Sequence, residues 1–247
     1  MRCSPRIVGA VAASLTVPML GVTALAGPAG AAQSATSLYN SALHSATTEG
    51  VHFVSTASEQ GVTITVVGDT GVSSGQQTLK LRKGTLTEDV TANLIGTTGY
   101  VKANAAALIN ILGLTAAKAG TYANKWLSFP TSNSTLAELV GGLHNKDVAT
   151  ELKMSGPYSL VDGKTIGGQS TQGIKGSVSS SSGSKVPVIL YVASSGTPHP
   201  IEEVTNPGKG GSAIRGQVTF SKWGEKIHLA TPKGAVSLLG VMPATSG

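Results

Sequence analysis

Between Val51 and Lys102 apolar side chains fall on every second residue, and this alternation limits the chain's fold more than any other feature. Val51, Phe53 and Ser55 alternate with His52 and Val54. Val62, Ile64 and Val66 alternate with Thr63 and Thr65. Leu79 and Leu81 alternate with Lys80 and Arg82, and Leu86, Glu88, Val90, Ala92 and Leu94 follow. Turn-forming residues punctuate the run at Glu59-Gln60-Gly61, Asp69-Thr70-Gly71 and Lys83-Gly84. A period of two places alternate side chains on opposite faces of a strand. Tight polar turns make the strands neighbours. The expectation is an antiparallel meander with one covered face and one wet face.

Helical periodicity flanks this meander. Ala35, Leu38, Tyr39, Ala42, Leu43 and Ala46 recur at i, i+3, i+4 and i+7, and Gly50 ends the pattern. Ala105, Leu108, Ile109 and Leu112 make a second stripe. Leu136, Leu139, Val140 and Leu143 make a third, with Thr135 and Glu138 spaced as a capping box. Lys125 to Pro130 is a short extended piece between them. The second half returns to strands around Ser159–Val161, Gly167–Gly176, Val186–Ala193, Ile201–Val204, Gln217–Ser221 and Lys226–Leu229. The Ser/Gly tract Ser177–Ser184 and the turns at Thr197-Pro198-His199-Pro200 and Asn206-Pro207-Gly208 separate them, and a last helix is expected at Ala235–Leu239. Strand and helix do not alternate as β-α-β units, which excludes a parallel doubly wound sheet. The fold class is α+β, in one domain.

The N-terminus reads as an export signal. Arg2 and Arg6 precede an apolar stretch from Ile7 to Ala26, and Ala29-Gly30-Ala31 is a small-residue cleavage site. Residues 1–31 are thus the expected signal peptide and 32–247 the mature domain. The single cysteine, Cys3, lies in the signal. The mature chain then has no disulfide, no thiolate metal site, and no cysteine to acylate as a membrane anchor. A secreted or cell-wall location follows. The net charge of +6 is spread over isolated lysines and arginines, not gathered in a stripe, and this argues against nucleic-acid binding.

Catalytic motifs fail on context. Gly71-Val72-Ser73-Ser74-Gly75 matches G-x-S-x-G, but a strand follows where the nucleophile elbow needs a helix. Ser182-Gly183-Ser184-Lys185 matches S-x-x-K inside a serine tract. The five histidines, His44, His52, His144, His199 and His228, have no partner at i+2, i+3 or i+4, so no local zinc motif exists. Glu88-Asp89 and Glu202-Glu203 are strand neighbours and point to opposite faces, which leaves them as solvated charge. Asn133-Ser134-Thr135 is a glycosylation sequon, read here as the entry to a helix. No enzyme, cofactor or metal is expected. With only two Trp and three Phe, the core is aliphatic, a lining that suits alkyl chains better than sugars or bases.

Several strings, in order, resemble one family. The helix Leu38–Ala46 runs into Val51-His52-Phe53. Ile95-Gly96-Thr97-Thr98-Gly99-Tyr100-Val101-Lys102 is similar to the family's glycine-turn-Tyr-Val strand. Asn124-Lys125-Trp126-Leu127 and Lys185-Val186-Pro187-Val188 follow. The most distinctive block is Val218-Thr219-Phe220-Ser221-Lys222-Trp223-Gly224-Glu225-Lys226-Ile227, with Thr231-Pro232 beyond it. From Ser34 to Pro232 the chain resembles the LppX/LprG group of actinobacterial envelope proteins, within the LolA/LolB-like lipoprotein-carrier superfamily. The resemblance implies a strongly curved antiparallel sheet, an incomplete barrel with helices on its concave side. It also implies an apolar cavity that binds lipids or acyl chains without catalysis. Candidate cavity residues are Phe53, Ile64, Val66 and Leu79 on the sheet, with Leu108, Ile109, Leu112, Leu136, Leu139, Val140 and Leu143 on the helices. The expected function is a secreted lipid carrier. The alternative is a non-catalytic envelope sensor or interaction module of the same fold, with an envelope protein as partner. The family's lipoproteins carry an anchoring cysteine that this chain lacks, so no stable membrane anchor is expected after cleavage.

Overall fold

The computed structural model describes residues 34–59, 61–179, 183–205 and 215–242. The signal segment, Gln60, the centre of the Ser177–Ser184 tract and the Asn206-Pro207-Gly208 turn lie outside the described residues.

The expected meander is present. Strands β1 (Val51–Glu59), β2 (Val62–Thr70), β3 (Ser74–Lys83), β4 (Leu86–Ile95) and β5 (Thr98–Ala103) pair antiparallel in sequence order. β6 (Leu127–Pro130) adds to β5. The second half supplies β7 (Ser155–Val161), β8 (Thr165–Ile166), β9 (Gln169–Ser179), β10 (Lys185–Ala193), β11 (Pro200–Thr205) and β12 (Arg215–Ser221). β12 pairs with β1, with Phe53 opposite Phe220, and so fuses the two meanders into one sheet. With the two-residue β13 (Val236–Ser237) the sheet has thirteen strands among the described residues, open and curled but not closed into a barrel.

Among the described residues six helices accompany it: α1 (Ala35–Thr48), α2 (Ala105–Asn110), α3 (Ala116–Tyr122), α4 (Ser134–Ala137), α5 (Asn145–Glu151) and α6 (Leu238–Val241). Ser34 caps α1, its hydroxyl accepting from the Ser37 amide at 3.1 Å. The third predicted stripe is not one helix. α4 gives way to a 3-10 turn at Glu138–Val140, and the cap is Asn133, whose Oδ1 accepts from the Leu136 amide at 3.1 Å. Gly141 and Gly142 then stop any continuation, because glycine carries the highest entropy cost of any ordinary residue in a helix. The sequon asparagine is therefore a helix cap, and the Thr135/Glu138 box is not formed.

The helices divide the core in two. α1 and α5 press Leu38, Tyr39, Ala42, Val148 and Leu152 onto Phe53, Val66, Leu79, Ile174, Leu190 and Phe220. α2, α3, α6 and the Leu136–Leu143 segment press onto Ala92, Leu94, Val101, Leu127 and Phe129. Val90 packs against both clusters. A fully buried Leu or Phe contributes about 1.5–3 kcal/mol, so each half carries a substantial core.

Lys226–Leu229 forms no strand. β12 already has β1 on one side and β11 on the other, so no free edge remains for it. Residues 225–235 instead run as a strap from β12 to β6 near the far end of the sheet, where β13 pairs in parallel. That span is six strand spacings, roughly 29 Å. Its contacts on the way fix its course. The Ser74 hydroxyl donates to the Ile227 carbonyl at 2.8 Å, and the Val236 amide donates to the Trp126 carbonyl at 3.0 Å. The helix expected at Ala235–Leu239 begins later, at Leu238, because Val236 and Ser237 are taken up by β6.

Candidate functional site

The alternation of β1 turns Val51, Phe53, Ser55 and Ala57 onto the concave face, where all are buried. Gly68 lies opposite Phe53 on β2, and a Cβ there would sit 2.6 Å from the Phe53 ring. The glycine gives the ring its place on the sheet. On the other side of β1, Val218 and Phe220 of β12 continue the same apolar surface.

α5 lies over this surface. Its amide at Asn145 donates to the Gly71 carbonyl at 3.1 Å, and the Asn145 Nδ2 donates to the Thr47 carbonyl at the end of α1 at 2.8 Å. Tyr39 of α1 ties the other end. Its hydroxyl donates to the Leu152 carbonyl at 3.2 Å and accepts from the Met154 amide at 2.6 Å. Its ring packs on Tyr158 with centroids 4.6 Å apart. α1 and α5 are thus a linked pair.

Between α5 and the sheet is a cleft of about 40 Å³. Phe53, Val148, Leu152, Val218 and Phe220 form its apolar wall, with Gly142, Gly216, Thr205, Glu151 and Glu203 around them. About 10–15 Å³ admits one water, so the cleft holds a few water-sized groups, against about 300 Å³ or more in typical ligand sites.

Of the candidates read from sequence, Phe53 lines this cleft. Ile64, Val66 and Leu79 belong to the same core cluster beneath α1 and α5. Leu108, Leu112, Leu136, Leu139, Val140 and Leu143 are buried in the second cluster, over β4, β5 and β6. Ile109 is 39% exposed and joins neither cluster. The two groups of candidates are therefore not brought together. Val148 and Leu152 of α5, and Val218 and Phe220 of β12, were missed as lining residues; the i, i+4 spacing of Val148 and Leu152 was the one available signal.

The G-x-S-x-G string is structural. Gly71–Ser73 connects β2 to β3, so Ser73 sits in a hairpin, and the neighbouring Ser74 holds the strap. Ser182 lies outside the described residues, and Lys185 opens β10. The paired carboxylates do face opposite ways, but three of the four are buried, not solvated. Glu88, 5% exposed, accepts from Asn110 at 2.6 Å. Glu202, 3% exposed, pairs with Lys164 at 2.6 Å, and Glu203 is buried at the cleft.

Two histidines have carboxylate partners that sequence spacing could not show. His199 Nε2 lies 3.0 Å from Glu49 Oε1, and its ring stacks on Trp223 at 5.0 Å. His52 Nδ1 lies 2.6 Å from Asp69 Oδ1, and the Gln76 amide donates to Asp69 Oδ2 at 2.8 Å. Burial raises the Asp69 pKa, but the hydrogen bonds from Gln76 and His52 outweigh it and hold the carboxyl below its ordinary value. Burial and the hydrogen bond to Asp69 push the Glu225 carboxyl up.

With this geometry, known structures can be compared. LprF from Mycobacterium bovis superposes with a TM-score of 0.53, covering 81% of this chain and 97% of that one at 13% identity. The Mycobacterium tuberculosis lipoprotein LppX superposes with a TM-score of 0.50, covering 79% and 98% at 18% identity. The chain has the LppX/LprG-type fold. Identities this low speak for the fold alone. No protein-family model and no curated protein matches the sequence. Among the described residues, no helix is long and apolar enough to cross a membrane.

Proposed function

We propose that this is an exported, non-catalytic lipid-binding protein whose mature part, residues 32–247, carries acyl chains between α5 and the concave face of the sheet. The observation that carries the reading is the apolar cleft under α5, walled by Phe53, Val148, Leu152, Val218 and Phe220. The LppX/LprG-type fold supports it. Ile64, Val66 and Leu79 extend the same apolar surface and would line the cleft once it widens.

Widening is required, because about 40 Å³ cannot take an alkyl chain. The division of the core gives the route. α1 and α5 move as a pair off the sheet, while the cluster around Leu127 and Phe129 stays packed. Each methylene seated in the opened cleft contributes about 0.8 kcal/mol, which offsets the contacts the helices give up. Alkyl burial is non-directional, so such a site leaves no polar signature in the sequence. In this reading cleavage after Ala31 removes Cys3 with the signal and releases the carrier into the cell wall or outside the cell.

The size of the cleft favours a second reading, in which the same fold is an interaction module for an envelope protein and the helices never lift. Native mass spectrometry separates the two. Protein purified from its own type of host should carry a species of lipid mass that solvent extraction removes and added lipid restores. A bare mass that stays unchanged with host lipids supports the module instead.

A further inference from the structure

His52, Asp69 and Gln76 are cross-strand neighbours, His52 opposite Asp69 and Asp69 opposite Gln76. Their side chains stand in one row on the face of the sheet opposite the helices. A fourth polar group arrives from outside the sheet. After Ser221 the chain turns at Lys222, which has φ 53°, and the Gly224 amide donates to the Gly50 carbonyl at 2.9 Å. This contact brings the Glu225 backbone so close to Gly50 that any side chain there would collide with it. Glu225 is thereby set down beside His52 and Asp69, at the start of the strap.

One donor atom from each of His52, Asp69 and Glu225 lies within 4.8 Å of the other two. An imidazole and two carboxylates are a donor set that first-row divalent ions accept. Two carboxylates this close repel one another, and a cation held between them relieves that repulsion. Glu225 Oε1 is buried and accepts no hydrogen bond. Gln76 orients Asp69 from behind, as outer-shell partners of metal ligands do. The His52 and Asp69 side chains are 23% and 19% exposed, so an ion can reach them from solvent.

We propose that His52, Asp69 and Glu225 are the protein ligands of a divalent-cation site, suited to Zn²⁺ or a similar first-row ion, that fastens the C-terminal strap to the sheet. Three protein ligands leave a further position for water on the solvent side. Glu225 is the one ligand outside the sheet, so occupancy fixes the point where the strap departs. The His199–Glu49 pair, whose imidazole stacks on Trp223 two residues before Glu225, has no third ligand among the described residues and serves as the internal control.

The test is isothermal titration of ZnCl₂ into the untagged, chelator-stripped protein, with X-ray absorption on the loaded sample. One equivalent should bind, in a shell of nitrogen and oxygen containing a single imidazole. His52→Gln and Glu225→Gln should each weaken binding by about 10-fold or more, and Gln76→Ala, at an exposed site that leaves folding intact, by a smaller factor. His199→Gln should bind as the parent does. No binding, a shell with two or more imidazoles, or affinity unchanged in both Glu225→Gln and Gln76→Ala would overturn the proposal.

Discussion

Gly216→Val separates stability from lipid binding. Gly216 lies on β12 opposite Ala57 and Thr205 and lines the cleft. A Cβ there meets only Thr205, at 3.6 Å and 3.8 Å, which is ordinary contact, and its backbone is not in the left-handed region. The cleft of about 40 Å³ has room for roughly three water-sized groups, and valine adds three carbons. Two methyls buried at about 0.8 kcal/mol each, and about 0.4–1 kcal/mol from a less flexible unfolded chain, together give a gain of about 2 kcal/mol. For a protein of this size that raises Tm by about 4–8 °C. Scanning calorimetry reads the gain, and fluorescent fatty-acid titration should show binding weakened at least tenfold, because the valine fills the space the chain needs. A lower Tm would show that the cleft is not open as described. A higher Tm with undiminished lipid binding would place the ligand elsewhere.

Tyr39→Phe removes the hydroxyl that ties α1 to the end of α5, leaving the Leu152 carbonyl and Met154 amide unsatisfied in the core; urea unfolding should show a loss of about 1–3 kcal/mol. The same variant frees the α1–α5 pair, so lipid association measured by stopped flow should quicken. Leu152→Ala empties a fully buried position under α5 and should cost about 2–5 kcal/mol in the same unfolding assay. Ser73→Ala changes a hairpin residue, so any trace of ester hydrolysis in the preparation should be identical in both proteins. N-terminal sequencing of the exported protein should begin at Ala32.

The first meander and α1 were legible because each buries one face against one partner, and a single period then records the structure. The strands of the second half, apart from Lys226–Leu229, were legible for the same reason, to within a few residues at their ends. α5 was not. Asn145, Lys146, Asp147, Thr150 and Glu151 make its sequence read as loop, and Val148 and Ala149, with Leu152 just beyond its end, are the apolar residues it buries. The failure at Lys226–Leu229 has a different cause. Those residues do alternate, but a strand needs a free edge, and whether β12 has one depends on β1, more than 150 residues earlier. The cleft was hidden for a similar reason. Phe53 was identifiable as buried, but its neighbours Val148 and Phe220 reach it only through the β1–β12 pairing and the seating of α5. The row of His52, Asp69 and Gln76 follows from hairpin register and could have been drawn from the meander; Glu225 could not.

The central claim is that acyl chains lie between α5 and the concave face of the sheet. Photolabelling tests it directly, with a fatty acid carrying a diazirine near its methyl end and peptide mapping of the adducts. The account predicts labels on β1 and β12 around Phe53, Val218 and Phe220, and on α5 at Val148 or Leu152, all reduced in Gly216→Val. Labels confined to the outer side of α1 or to the Leu127–Phe129 cluster, or spread without regard to Gly216→Val, would contradict it.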